Sequence, residues 1–194
     1  NLDKKLIITG PNAAGKTTII KSTIINILLS QQLGIGCYES CTLNPYKFIY
    51  SYINIPDTSD RDSLFQAEAR RCKEILDNFE NSSKKDRHFC IFDEIYSGTN
   101  PSEAIASAYS FINYISDKSN IDLMLTTHYI KLCKLLNNNN FIQNSQMQID
   151  NNVPIYKIID NISNVKGGIR VLEELNYNSK IIESAKKVLM EIDE

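Results

Sequence analysis

The sequence predicts an α/β fold, a mixed and mostly parallel sheet flanked by helices, and three observations carry that prediction. The apolar run Leu6-Ile7-Ile8-Thr9 stops at Gly10-Pro11-Asn12-Ala13-Ala14-Gly15-Lys16-Thr17 and continues directly into Thr18-Ile19-Ile20-Lys21-Ser22-Thr23-Ile24-Ile25, so strand, glycine loop and helix follow without a gap. A second run, Arg87-His88-Phe89-Cys90-Ile91-Phe92, ends in Asp93-Glu94, the form taken by a buried parallel strand whose carboxyl end reaches a ligand site. A third, Ile121-Asp122-Leu123-Met124-Leu125-Thr126-Thr127, ends in His128.

The first element fits G-x-x-x-x-G-K-S/T at every required place. Its chemistry needs a strand that stops, a loop with inward-facing amides and a helix that begins at the lysine, because backbone N–H groups and the positive helix end then hold phosphates. Gly10, Pro11, Asn12, Ala13, Ala14, Gly15, Lys16, Thr17 and Thr18 are the expected nucleotide contacts. Lys16 reaches the β and γ phosphates, and the Thr17 hydroxyl is placed to ligate Mg²⁺. The bland alternative is a strand-to-helix turn without a ligand. Lys16 is expected to be exposed in the empty site.

The helix after the loop is expected to run to about Gln32, with Ile20, Ile24, Ile27 and Leu28 on its buried side, before Gly34 and Gly36 break it. Residues 35–43 are expected to form a second strand, and 46–53 a strand of alternating apolar and aromatic residues. The tyrosines there serve either a half-buried strand face or an adenine stack. A long helix follows, opened by Asp62 or Ser63 as N-cap, with Leu64, Ala67, Glu68, Arg71 and Ile75 at helical spacing.

The run that ends in Asp93 and Glu94 has the form of a Walker B strand. Asp93 is expected to hold the Mg²⁺ hydration shell, and Glu94 to accept a proton from the attacking water, the two pointing to opposite sides of the strand end. Asn100 as N-cap, Pro101 at the first position and Glu103 closing a capping box start the next helix, with Ile105, Ala108, Ile112 and Ile115 along one face. His128 ends its strand where Asp93 and Glu94 end theirs. It is either functional there or an ordinary surface histidine.

Asn137 to Asn140 form a turn, and residues 141–159 are expected to form an antiparallel pair around Asp150-Asn151-Asn152, with Met147 and Ile149 facing Ile155 and Tyr156. Gly167-Gly168 opens a short helix, and Asn178-Ser179 caps a last one with Ile181, Ala185, Val188 and Ile192 as its inner stripe.

At 194 residues and 42% hydrophobic, the chain suits one globular domain over residues 1–194. The glycine loop begins ten residues from the first, which suggests a domain excised from a longer protein. A net charge of −2 argues against a main DNA-gripping surface, since phosphate backbones are met by clustered Lys and Arg. The cysteines, 5 in number and without a C-x-x-C pair, suit a reducing compartment better than a disulfide scaffold or a zinc site. No apolar stretch approaches membrane-spanning length, so the expectation is a soluble, intracellular protein without a membrane partner.

Four segments together resemble the ATPase domain of the MutS DNA mismatch-repair family, which is built like the ATP-binding cassette proteins. Ile8 to Thr17 resembles I-T-G-P-N-x-x-G-K-S/T. Asp93-Glu94 with Gly98-Thr99 resembles D-E-x-x-x-G-T, Thr127-His128-Tyr129 resembles T-H-Y/F, and Ser63-x-Phe65-x-x-Glu68 resembles the S-T-F-x-x-E that opens the signature helix. Ala14 stands where the family has glycine, Asp60-Arg61-Asp62 where it has a glycine-rich stretch, Asn100-Pro101 where it has a Ser/Thr pair, and Val165-Lys166-Gly167-Gly168-Ile169 matches its S-Y-G-I loosely. A divergent member is the expected identity.

The resemblance implies a P-loop NTPase of the cassette type that hydrolyses ATP with Mg²⁺ to drive conformational change in a dimeric, DNA-binding repair protein. It further implies that Glu94 activates water, His128 senses the γ-phosphate, Thr17 and Asp93 serve the metal, and Ser63 meets the nucleotide of a partner subunit. Homodimer and heterodimer are both open, with DNA contacts outside this chain. The rival readings are a nucleotide-gated dimerisation scaffold in recombination or DNA remodelling with little turnover, a transporter cassette, disfavoured because L-S-G-G-Q is missing, and a small-molecule kinase, for which no lid is identifiable.

Overall fold

The computed structural model describes residues 4–12, 14–53, 63–150, 153–163 and 167–193. The expectations for Ala13, for Asp62 as a cap, for 60–62, for Asn151 and Asn152 in the turn and for Val165 and Lys166 lie outside the described residues. The element order is β1 (Lys5–Thr9), α1 (Lys16–Leu33), β2 (Phe48–Tyr52), α2 (Leu64–Asn81), β3 (His88–Asp93), α3 (Pro101–Ser116), β4 (Ile121–Thr127), α4 (Ile130–Leu136), β5 (Ile142–Asp150), β6 (Val153–Asp160), α5 (Gly168–Glu174) and α6 (Ser179–Asp193).

The strands form one sheet in the order β2-β3-β4-β1-β5-β6, parallel throughout except for the β5–β6 edge pair. Period-two alternation divides each central strand between two cores. Ile8, Phe89, Ile91 and Met124 face Ile20 and Ile27 of α1, whereas Ile7, Cys90, Phe92, Leu123 and Leu125 face the other way, onto Ile75 and Phe79 of α2, Ile112 and Ile115 of α3 and Leu132 of α4. Helices therefore cover both faces, which is why the strands are apolar on both sides. The consequence for function is that β1, β3 and β4 lie adjacent and parallel, and so bring their carboxyl ends to one edge.

Several helix ends follow their sequence signals. Gly15 enters α1 at φ 90, and Gly34 closes it at φ 70 with its N–H on Ser30 O. Ser63 caps α2 in a reciprocal box with Gln66. Asn100 caps α3 by accepting from Glu103 N–H, but the Glu103 carboxylate takes the Thr99 hydroxyl at 2.7 Å rather than completing the expected box.

Other expectations are corrected. Residues 35–43 form no strand; they run largely exposed, and the chain is pinned instead where the Gln31 side chain bonds both Tyr46 N–H and Tyr46 O at 3.1 and 3.2 Å. Leu28 is exposed because it lies about a quarter-turn round α1 from Ile20 and Ile27, which face the core. In the hairpin, Met147 pairs with Ile158 and Ile149 with Pro154, because the register shifts between them and Tyr156 adopts a left-handed φ of 58. On α6 the half-buried positions are Ile182, Ala185 and Leu189, while Ile181 and Val188 are exposed, on a helix that packs on α5. All five cysteines are free, and among the described residues no helix is long and apolar enough to cross a membrane.

Candidate functional site

A cleft of about 610 Å³ opens at the carboxyl ends of β1 and β3, lined among others by Asn12, Gly15, Lys16, Thr17, Thr18, Asp93 and Glu94. That volume is ordinary for a nucleotide-sized ligand. Gly15 is required at its floor for two reasons. Its backbone is left-handed, and a Cβ there would stand 2.8 Å from the Tyr156 ring, which lies against the loop from β6.

Lys16 is not exposed as expected but 6% exposed, folded back onto its own loop. Its ammonium donates to Gly10 O at 2.9 Å and Pro11 O at 3.1 Å and stands 3.8 Å from Glu94 Oε1. Burial pushes the Lys16 pKa below the usual lysine range, against the opposing pull of Glu94 and Asp93.

Asp93 ends β3 opposite Thr126 of β4, and the register places a hydroxyl on each side of its carboxylate. Thr17 donates to Oδ2 at 2.8 Å and Thr126 donates to Oδ1. Thr126 was not legible beforehand, because only the pairing of β3 with β4 makes it a neighbour of Asp93. The Thr17 and Asp93 oxygens are hard donors of the type Mg²⁺ takes alongside waters and phosphate oxygens, so the residues present fit that ion. Among the described residues no group of three or more His, Cys, Asp or Glu gathers as an all-protein metal site.

Glu94 leaves the extended conformation at φ 53 while its N–H still bonds Thr126 O at 3.0 Å. This turn brings its carboxylate to the same cleft as Asp93, not to the opposite side as strand alternation implied. Glu94 Oε1 is 3.4 Å from His128 Nδ1, and that hydrogen bond, helped by Lys16 and opposed by burial, holds the Glu94 pKa below the usual carboxylate range. His128 is half-exposed, its ring tilted against that of Tyr129 with the centroids 4.2 Å apart.

Ser63 is not brought into this group. Its exposed hydroxyl accepts from Gln66 N–H at 3.4 Å, while the next residue, Leu64, lines the cleft. Ser97 and Tyr156, which the sequence did not single out for the site, also line it, with Tyr52, one of the tyrosines read as strand face or adenine stack, and Glu68 of the Ser63-x-Phe65-x-x-Glu68 segment, which is 2% exposed. A loop and a bulged edge strand supply Ser97 and Tyr156, at positions that no local motif marks.

A family model for MutS domain V matches residues 6–193. Endonuclease MutS2 of Staphylococcus saprophyticus is 28% identical over 188 residues, which cover 95% of this chain and 23% of that protein. DNA mismatch repair protein MutS of Orientia tsutsugamushi (strain Ikeda) is 30% identical over 195 residues, covering 96% of this chain and 21% of its own length. Endonuclease MutS2 of Agathobacter rectalis is 28% identical over 194 residues, 98% of this chain and 24% of its own. The chain thus spans less than a quarter of the length of these curated relatives. Because the family model runs from the first strand to the end of the last helix, the chain belongs to the MutS domain V family.

Proposed function

We propose that the chain is a P-loop ATPase domain of the cassette type, which hydrolyses MgATP to drive conformational change in a longer, dimeric, MutS-like DNA-binding protein. The observation that carries this reading is the convergence of Lys16, the Thr17–Asp93 pair and the Glu94–His128 pair on one cleft. A phosphate-sized anion at the loop would exchange places with the Gly10 and Pro11 carbonyls as the partner of Lys16, and the loop amides with the α1 N-terminus would complete its cradle. Mg²⁺, when bound, would add charge neutralisation at the β and γ phosphates.

The remaining chemistry belongs to the chain's own groups. Glu94, kept ionised, accepts the proton of a water aligned with the γ-phosphate, and His128 holds the Glu94 carboxylate while facing the same space. The exposed ring of Tyr156 against Gly15 offers an aromatic wall for the base. Release of inorganic phosphate from MgATP tests the reading, and the scaffold alternative requires nucleotide binding without it.

Two expected results arise here. His128→Ala should lower turnover with a smaller effect on affinity. Because the Glu94 pKa is depressed chiefly through His128, the variant should raise it, so the acid limb of the kcat/KM profile moves to higher pH. An unmoved limb would assign His128 a different role. Tyr156→Ala should weaken MgATP binding by about 2- to 10-fold, the size of one aromatic stacking contact, with equal loss for ATP and GTP. Binding of inorganic triphosphate should not change, and a loss there would place the effect on the loop instead.

A further inference from the structure

The Glu68 carboxylate is 2% exposed, and a charge that far from water is kept in a fold where donors replace its hydration. Three do so. On one oxygen it accepts the Ser97 N–H at 3.1 Å and the Ser97 hydroxyl at 2.9 Å, and on the other the Gly98 N–H at 2.9 Å. Ser97 and Gly98 belong to the turn that leaves β3 directly after Glu94, and Glu68 stands on α2 just past its capped start.

Packing tightens the same joint. A Cβ on Gly98 would stand 2.7 Å from both Leu64 Cγ and the Phe65 backbone nitrogen, so the turn lies against the first residues of α2 with no room for a side chain. Within that turn Glu94 and Tyr96 both hold left-handed backbones, at φ 53 and φ 59, a conformation that non-glycine residues keep when their surroundings fix it. Glu68 is the charged group bonded to that turn, and both it and Glu94 line the cleft.

Resting on the hydrolysis reading above, we propose that Glu68 is a positioning residue. It clamps the Ser97 and Gly98 amides so that Glu94 is held toward the cleft, and through the same three hydrogen bonds it transmits nucleotide occupancy to the start of α2. A carboxylate suits this task because two acceptor oxygens meet donors from both sides. Glutamine in its place would set an NH₂ donor against one of them, leaving a buried N–H unpaired.

The test compares the full chain with Glu68→Gln, with Ser97→Ala as the milder variant that keeps both backbone donors, and with each in a Glu94→Gln background. Steady-state MgATP hydrolysis and amide hydrogen exchange, with and without a non-hydrolysable ATP analogue, are the readouts. For Glu68→Gln, kcat should fall about 10- to 100-fold, the cost of misplacing a reacting group by about 1 Å, while KM stays within about threefold. In the Glu94→Gln background no further loss should follow, since Glu68 acts through Glu94. Exchange at Ser97 and Gly98 should quicken, and the protection that the analogue gives residues 64–68 in the parent chain should disappear.

Unchanged kcat, or losses that add in the double variant, would overturn the proposal, because a merely structural anchor behaves that way. Should Glu68→Gln fail to fold, Ser97→Ala decides: the expected loss is a smaller one, and a kcat and an exchange rate that both stay unchanged would overturn the proposal. A parent chain that binds the analogue but releases no phosphate would instead defeat the hydrolysis reading. In that event the exchange data still judge the coupling, which falls if residues 64–68 show no protection or keep it in Glu68→Gln.

Discussion

Replacing Glu94 with glutamine is expected to lower MgATP turnover by roughly 10²–10⁴-fold while nucleotide binding persists, the usual size of a general-base contribution. The substitution is nearly isosteric. A glutamine keeps an acceptor oxygen at the position now 3.4 Å from His128 and 3.8 Å from Lys16, and it tolerates the φ of 53 no worse than glutamate does. What it removes is the carboxylate that His128 and Lys16 keep ionised, and with it the group able to take a proton. Binding survives because Lys16, the loop amides and the Thr17–Asp93 pair are untouched. The depressed pKa gives the sign of the pH dependence in the parent chain: Glu94 stays ionised below the pH at which a free glutamate protonates, and activity is lost only as pH falls through that lowered value. Phosphate release and titration with a fluorescent ATP analogue, made side by side, check both halves. Undiminished hydrolysis would remove Glu94 from the mechanism, and lost binding would move it to the binding set.

How much of this site a reader of the sequence can reach depends on whether a signal is local. The Gly10 to Thr17 loop, the acids after β3 and the Ser63 and Asn100 caps are each written within a few consecutive residues, so their positions on a mixed, mostly parallel sheet were legible. Thr126 was not, because its contact with Asp93 exists only through the β3–β4 register. The fold-back of Lys16 depends on where the Gly10 and Pro11 carbonyls point, which no pattern encodes. Residues 35–43 misled for a related reason. Ile35, Cys37, Cys41 and Leu43 give strand-like alternation, but none of the described strands pairs with them: Asn26 takes the Cys37 N–H, and backbone bonding to Arg87 O begins at Lys47. The α6 stripe keeps Ala185 but takes Ile182 and Leu189 in place of Ile181 and Val188, which are exposed, because helical spacing alone does not say which side of the helix a neighbour covers.

The other large effect concerns Lys16 and Ser63 together, on the proposal that a working site is shared between two subunits. Lys16→Ala should abolish tight MgATP binding while circular dichroism stays unchanged. The ammonium bonds two loop carbonyls and faces Glu94 at the cleft, and water can replace it there. Ser63→Ala should cost about 1 kcal/mol through the lost cap, too little to unfold the chain. If Ser63 did nothing more, turnover would barely change. Yet the capped start of α2 presents an anion-favouring helix end whose serine stays exposed and outside its own cleft, while Leu64 beside it lines that cleft. A second chain facing the first would set that end against the γ-phosphate on Lys16, supplying part of the positive potential that the transition state requires. Each variant alone should then be nearly inactive. A mixture of the two should regain activity, because a mixed pair contains one site with an intact Lys16 from one chain and an intact Ser63 from the other. Sedimentation of the Glu94→Gln chain with and without MgATP should show pairing only when nucleotide is present. A monomer at every ATP concentration, or a mixture no more active than its parts, would refute the shared site and leave Ser63 as a helix cap.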